Sequence, residues 1–284
     1  MQMPWRDRAG RFSRLRAATF TALFLPGTVT AAQYVLDMLG AKPVTELIHA
    51  TGLWAIRLLF IALAITPARQ ALRLPKLIDV RRMIGVAAFA YAAAHLSIYA
   101  VDQMFDLATI ASEILLRFYL TIGAAALVLL LALAATSTDG MVRRLGAKRW
   151  QALQRCVYVI APLAALHFFL QSKAHSPEPT VMAGLLLWLM GYRALSWRGG
   201  TRLAQARSSL LALSAGAALV TALGEAAYFG LFTGVDPTRV LEADLSLDAG
   251  VRPAWVVLAA GLALTAAAFL RDASAAPAAR PSRS

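Results

Sequence analysis

Apolar residues in this chain come in long unbroken runs, and the charged residues gather between them. About 20 mostly apolar helical residues cross the roughly 30 Å of bilayer hydrocarbon. Eight stretches approach that length: Ala17–Met38, Leu53–Ile65, Met83–Val101, Tyr119–Ala135, Leu153–Leu170, Thr180–Leu195, Leu210–Thr233 and Pro253–Leu270. The second is the shortest and carries Arg57. The pattern predicts an all-α membrane protein of about eight spans. A basic tail, 1–16, precedes them, and an Ala/Pro/Ser/Arg tail, 271–284, follows and is expected to be disordered. No internal repeat is visible.

Composition sharpens this picture. AVILMFWYC residues make up 59% and DEKR residues only 15%, against roughly 25% charged in an average soluble chain, and the mean hydropathy is +0.62. These values exclude a disordered protein, a secreted disulfide miniprotein and most water-soluble enzymes. The single cysteine, Cys156, rules out an intrachain disulfide, a Cys-x-x-Cys pair and a covalently attached c-type haem. Its ordinary role is that of a small buried hydrophobe.

The net charge of +13 would raise the question of nucleic acid in a soluble chain. Here 22 of the 28 Lys and Arg fall in alternate segments: 1–16, 66–82, 136–155, 193–208 and 271–284. The opposite loops hold only Lys42, Arg117, Lys173, Arg239 and Arg252. Charge spread in this way follows the positive-inside rule and places both termini in the cytoplasm. The expected partner is the lipid bilayer and not nucleic acid. The start, Arg-rich and then apolar over Ala17–Thr30 with Ala31 and Ala32, also fits a cleavable signal peptide. Apolar character continues through Tyr34–Met38, which favours a retained helix. The loop 234–252, with Asp236, Glu242, Asp244 and Asp248, is acidic, falls on the outer side and is a candidate docking segment.

Ionisable groups inside a membrane are costly and mark candidate functional sites. His95 lies about 12 residues into the third run and His167 about 14 into the fifth, hence about 18 and 21 Å deep at 1.5 Å per residue. Both helices run outward, so the two imidazoles reach similar depth. Two neutral imidazoles facing each other from different helices are the arrangement that axially ligates a haem iron. Phe89, Tyr91, Tyr99, Phe168 and Phe169 lie near enough in sequence to pack on a porphyrin. The alternative is that each histidine bonds to a neighbouring helix, and spacing alone leaves both open. His49 and His175 fall at the interfaces, where a structural or solvated role is expected. Arg81, Arg82, Arg143, Arg144, Lys148 and Arg149 crowd the inner face, either to hold an anionic cofactor such as a flavin phosphate or to enforce topology. No Gly-x-Gly-x-x-Gly, phosphate-loop, His-Glu-x-x-His or Gly-x-Ser-x-Gly motif is present.

Several blocks together resemble one family. They are Thr51-Gly52 after His49, Ile65-Thr66-Pro67, Arg81-Arg82-Met83-Ile84-Gly85, His95-Leu96-Ser97-Ile98-Tyr99, Arg117-Phe118-Tyr119-Leu120-Thr121-Ile122-Gly123, Thr136-Ser137-Thr138, Leu145-Gly146-Ala147-Lys148-Arg149-Trp150 and Val157-Tyr158. In this order, over about residues 20–197, they look like the MsrQ family, haem-binding membrane subunits of the bacterial protein-methionine-sulfoxide reductase system. The resemblance implies a six-helix ferric-reductase-like transmembrane core, here 17–197; the last two apolar runs lie outside it and form a two-helix extension over 209–270. It also implies haem b and FMN as cofactors and the bacterial inner membrane as location. The implied partners are a periplasmic MsrP-type molybdopterin reductase as electron acceptor and a cytoplasmic flavin reductase or similar donor. The family's iron ligands fall on His95 and His167. A further family histidine falls on Gln154, a poor iron ligand, and Phe118 stands where the family usually has proline. Two other functions fit the pattern: a stand-alone ferric or quinone reductase, and a solute transporter without haem in which both histidines line a polar path.

Overall fold

The computed structural model describes residues 3–6, 9–172, 177–246 and 250–275. Among them the secondary structure is helical apart from a single bridge between Arg6 and Phe12. The helices are α1 (Arg14–Val35), α2 (Pro43–Ala71), α3 (Ile78–Asp102), α4 (Leu107–Leu116), α5 (Phe118–Ala135), α6 (Asp139–Leu145), α7 (Ala147–Gln154), α8 (Val157–Gln171), α9 (Glu178–Gln205), α10 (Arg207–Phe232), α11 (Pro237–Leu245) and α12 (Pro253–Ala275). Helices satisfy their backbone polar groups internally, which hydrocarbon demands. Among the described residues six stretches are long and apolar enough to cross a membrane: Pro43–Ala71, Pro75–Asp102, Phe118–Ala135, Ala147–Gln171, Arg207–Phe232 and Pro253–Asp272. Helices α1 and α9 are long enough, at 22 and 28 residues, but more polar.

Seven of the eight apolar runs fall mainly on one helix each, Leu153–Leu170 crosses the break between α7 and α8, and the second run changes most. Leu53–Ile65 is the middle of α2, a helix of 29 residues. Polar residues such as Glu46, His49, Arg69 and Gln70 extend it at both ends, which an apolar window does not register. Arg57 lies over the Trp54 ring, with 5.1 Å between its Cζ and the ring centroid, a cation–π contact that offsets part of its desolvation.

Two compact units are present. The first comprises 1–65 and 76–174. In it α3 packs on α1 and α5, and α5 packs on α4 and α8. Helix α1 contains Pro26, and next to it the Tyr91 hydroxyl enters the helical ladder. It accepts from Gly27 N–H at 2.8 Å and donates to Leu23 C=O at 2.9 Å, linking α1 to α3. At the arginine-rich end, Arg82 pairs with Asp139 at 2.6 Å. There the Trp150 indole and the Gln154 amide donate to Thr136 C=O and Leu133 C=O, at 3.0 and 3.3 Å. The short α6 and α7 are thereby tied to α3 and α5.

The second unit comprises 66–75 and 175–284. Helix α10 packs on α9, α11 and α12. Small residues allow close approach: Gly184 faces Thr221 and Val257, and Gly261 faces Ser214 and Trp188. The Trp188 indole donates to Ser214 Oγ at 3.1 Å, and the Tyr192 hydroxyl to Gln70 Oε1 at 2.7 Å. These contacts group α9 with α10 and α12, whereas the sequence division set 17–197 apart from 209–270. Two acidic residues of the loop are engaged within the unit, while Glu242 is exposed. Asp236 caps α11, accepting from Thr238 N–H at 2.9 Å. Asp244 is buried and pairs with Arg252 at 3.0 Å, and Arg252 also holds the buried Glu225 at 2.7 Å. Asp248 and the 276–284 part of the tail lie outside the described residues.

Candidate functional site: a facing pair of histidines

His95 on α3 and His167 on α8 are brought together, with ring centroids 6.4 Å apart and ring planes at 78°. Both are half-buried. Each ring is anchored in the same way: His95 Nδ1 lies 2.8 Å from Ile48 C=O, and His167 Nδ1 lies 2.8 Å from Tyr119 C=O. A carbonyl oxygen only accepts, so Nδ1 carries the hydrogen and donates in both rings. The Nε2 lone pair is thereby left available on each imidazole.

The anchoring sites share a sequence device. Four residues beyond Ile48 stands Gly52, and four beyond Tyr119 stands Gly123. A Cβ added at Gly52 would lie 2.9 Å from His95 Nδ1, and one at Gly123 would lie 2.8 Å from His167 Nδ1. Both distances are below normal contact, so each glycine provides a bare stretch of helix backbone on which an imidazole rests.

The donor set fits an iron porphyrin. Two imidazoles bound to one metal from opposite sides, with metal–nitrogen bonds of about 2 Å and ring centroids roughly 1 Å beyond, stand about 6 Å apart. Among the described residues no cluster of three or more His, Cys, Asp or Glu is placed to hold a metal ion. Two imidazoles leave a bare ion short of ligands, whereas a porphyrin brings four nitrogens of its own. Helix α3 packs on α1 and α5 but not along α8, so the rings meet where their helices stand apart.

The other candidate residues lie elsewhere. His49 is exposed on α2, and His175 is outside the described residues. Cys156 is a half-buried free thiol between α7 and α8. Gln154 is occupied with Leu133 C=O. Tyr91 is taken up by α1, and the Tyr99 hydroxyl donates to Glu113 Oε2 at 3.1 Å. Arg143, Arg144, Lys148 and Arg149 are exposed.

Sequence reasoning missed the network beside the site. Arg117 pairs with Glu113 at 2.6 Å and reaches the Tyr119 hydroxyl at 3.2 Å. With Tyr99 it joins α3, α4 and α5 one turn beyond His95. The i,i+4 spacing of Glu113 and Arg117 was the available signal.

The family described as ferric reductase like transmembrane component matches residues 51–165, which include His95. Curated relatives named protein-methionine-sulfoxide reductase heme-binding subunit MsrQ are similar over much of the chain. The one from Rhodospirillum rubrum is 44% identical over 189 residues, 66% of this chain and 88% of the relative. That from Caulobacter vibrioides is 40% identical over 179 residues, 63% and 84% of the two chains. One from Xanthomonas oryzae pv. oryzae is 48% identical over 159 residues, 56% and 72%. No solved structure matches the chain.

Proposed function

This chain belongs to the MsrQ family of protein-methionine-sulfoxide reductase heme-binding subunits, and from that membership we propose that it carries electrons across the bacterial inner membrane to a periplasmic MsrP-type molybdopterin reductase. The donor is a cytoplasmic flavin reductase or a similar protein, and both termini face the cytoplasm. His95 and His167 would hold the iron of haem b, and FMN would serve as a second carrier. Bound in these places, haem and flavin supply the one-electron couples that the side chains of the protein lack.

The observation that carries this reading is the pair of imidazoles 6.4 Å apart, each donating through Nδ1 to a main-chain carbonyl. Those bonds orient the rings and raise the basicity of Nε2, as outer hydrogen bonds do for metal-bound histidines. Surrounding apolar helices exclude water and set the local dielectric, one of the levers on haem potential. Neither histidine needs to move a proton. The exposed Arg143, Arg144, Lys148 and Arg149 supply positive charge for a flavin phosphate at the end of the first unit.

A reduced-minus-oxidised absorbance spectrum of membranes containing the protein tests the reading. A b-type haem signal is expected, lost in His95→Ala and in His167→Ala. A signal that survives both substitutions contradicts the ligand assignment. Reoxidation of the reduced protein by the periplasmic reductase, and not by ferric chelates, is the expected outcome for the partner.

A further inference from the structure

Within the second unit, the end of α2, the start of α10 and the end of α12 enclose a cleft lined by Arg73, Gln205, Arg207, Thr265, Arg271 and Asp272. Three guanidinium groups face one carboxylate. Arg271 is fixed by donating to Ala71 C=O at 2.9 Å and pairs with Asp272, while Arg73 reaches the same carboxylate oxygen at 3.9 Å. Asp272 thus marks a point on which the cations converge and leaves the cleft with an excess of two positive charges. Arg207 lies over Phe269, its Cζ 4.4 Å from the ring centroid.

A second feature favours an anion. Helix α10 begins here at Arg207, and its N-cap residue Ala206 offers no side-chain acceptor. The first-turn N–H groups of a helix lack intrahelical partners and, with the helix dipole, form an anion site. Arg207, the first residue of that turn, lines the cleft. Its wall is partly apolar and open: Phe269 lines it and is 48% exposed, and the adjoining Leu270 is 68% exposed. A charged head and apolar chains would both find their place there.

We propose that this cleft seats the phosphate of an anionic phospholipid headgroup, its acyl chains lying along α10 and α12. Basic pockets between membrane helices favour such headgroups, and the excess charge selects a net-negative lipid over a zwitterionic one. Free phosphate has the same chemistry but makes no use of the apolar flank.

The full-length protein, delipidated in a neutral detergent, is titrated with phosphatidylglycerol, phosphatidylcholine or inorganic phosphate. Native mass spectrometry reads the lipids, and phosphorus NMR line broadening reads the free ion. Phosphatidylglycerol is expected to bind in preference to phosphatidylcholine. Its affinity falls about thirtyfold in Arg73→Gln/Arg207→Gln, about fivefold for each cation removed. It is unchanged in Arg14→Gln, an exposed arginine of the first unit. If the double variant elutes as aggregate, Arg73→Gln alone carries the test with about a fivefold loss, since that side chain is 73% exposed. Equal affinity for phosphatidylglycerol in these variants and in Arg14→Gln overturns the proposal. Arginine-dependent binding of inorganic phosphate without retention of lipid overturns the lipid assignment.

Discussion

An imidazole that gives its Nδ1 hydrogen to a main-chain carbonyl has only Nε2 left to bind with, and both histidines are held in this way. The glycines under the rings are therefore as specific a requirement as the rings. In Gly52→Ala or Gly123→Ala the new methyl would stand under 3 Å from the imidazole, forcing it off its carbonyl at a cost of about 1–3 kcal/mol. Haem affinity is expected to fall about tenfold to a hundredfold, measured as haem per folded protein across a haem titration. An alanine at both positions with full haem occupancy contradicts the anchoring role. The histidines themselves were legible in the sequence because ionisable residues stand out in apolar runs. Gly52 and Gly123 appeared only as parts of recognisable blocks, since a glycine becomes a ring platform only when the neighbouring helix is known.

At the scale of elements, apolar continuity located the long helices but not their ends or the short pieces. Helix α2 extends well beyond Leu53–Ile65, and α4, α6, α7 and α11 were not foreseen, because their signals are caps and turn residues rather than apolar length. Helix α4 shows such a signal. Asp106 accepts from Ala108 N–H and Thr109 N–H, each at 3.1 Å, and from the Thr109 hydroxyl at 2.7 Å. The bond from the Thr109 N–H leads in holding this carboxyl below its usual range. A depressed value means that the cap is fully formed above the ordinary carboxylate range and is lost as pH falls through the lower folded value. Hydrogen exchange at the start of α4 should accelerate only in strongly acid solution for the native protein, and at every pH for Asp106→Ala. Identical exchange in the two proteins at neutral pH would remove the cap from the account.

For the whole molecule, the histidine pair proposed to hold haem and the buried ion network lie in different units. Glu225 and Asp244 are 5% and 6% exposed, and both lean on Arg252. Arg252→Met would leave two buried carboxylates unpaired, with an expected loss of about 3 kcal/mol. Replacing all three residues by apolar ones should be milder. Thermal unfolding in detergent reads the stability, and the remaining folded protein should keep its haem content. Sequence placed Asp244 in an acidic loop on the outer side without a partner, because Arg252 counted there only towards topology. The grouping of α9 with α10 and α12 was likewise hidden, as packing through Gly184 and Gly261 carries no signature in a single sequence.

Electron paramagnetic resonance of the oxidised, haem-replete protein tests the central claim most directly, because it reports the axial ligands of the iron. A low-spin ferric signal of bis-imidazole type is predicted, with His95→Ala and His167→Ala each abolishing it, by loss of haem or by conversion to high spin. A low-spin signal unchanged in either variant, or protein that takes up no haem despite ample supply, would contradict it.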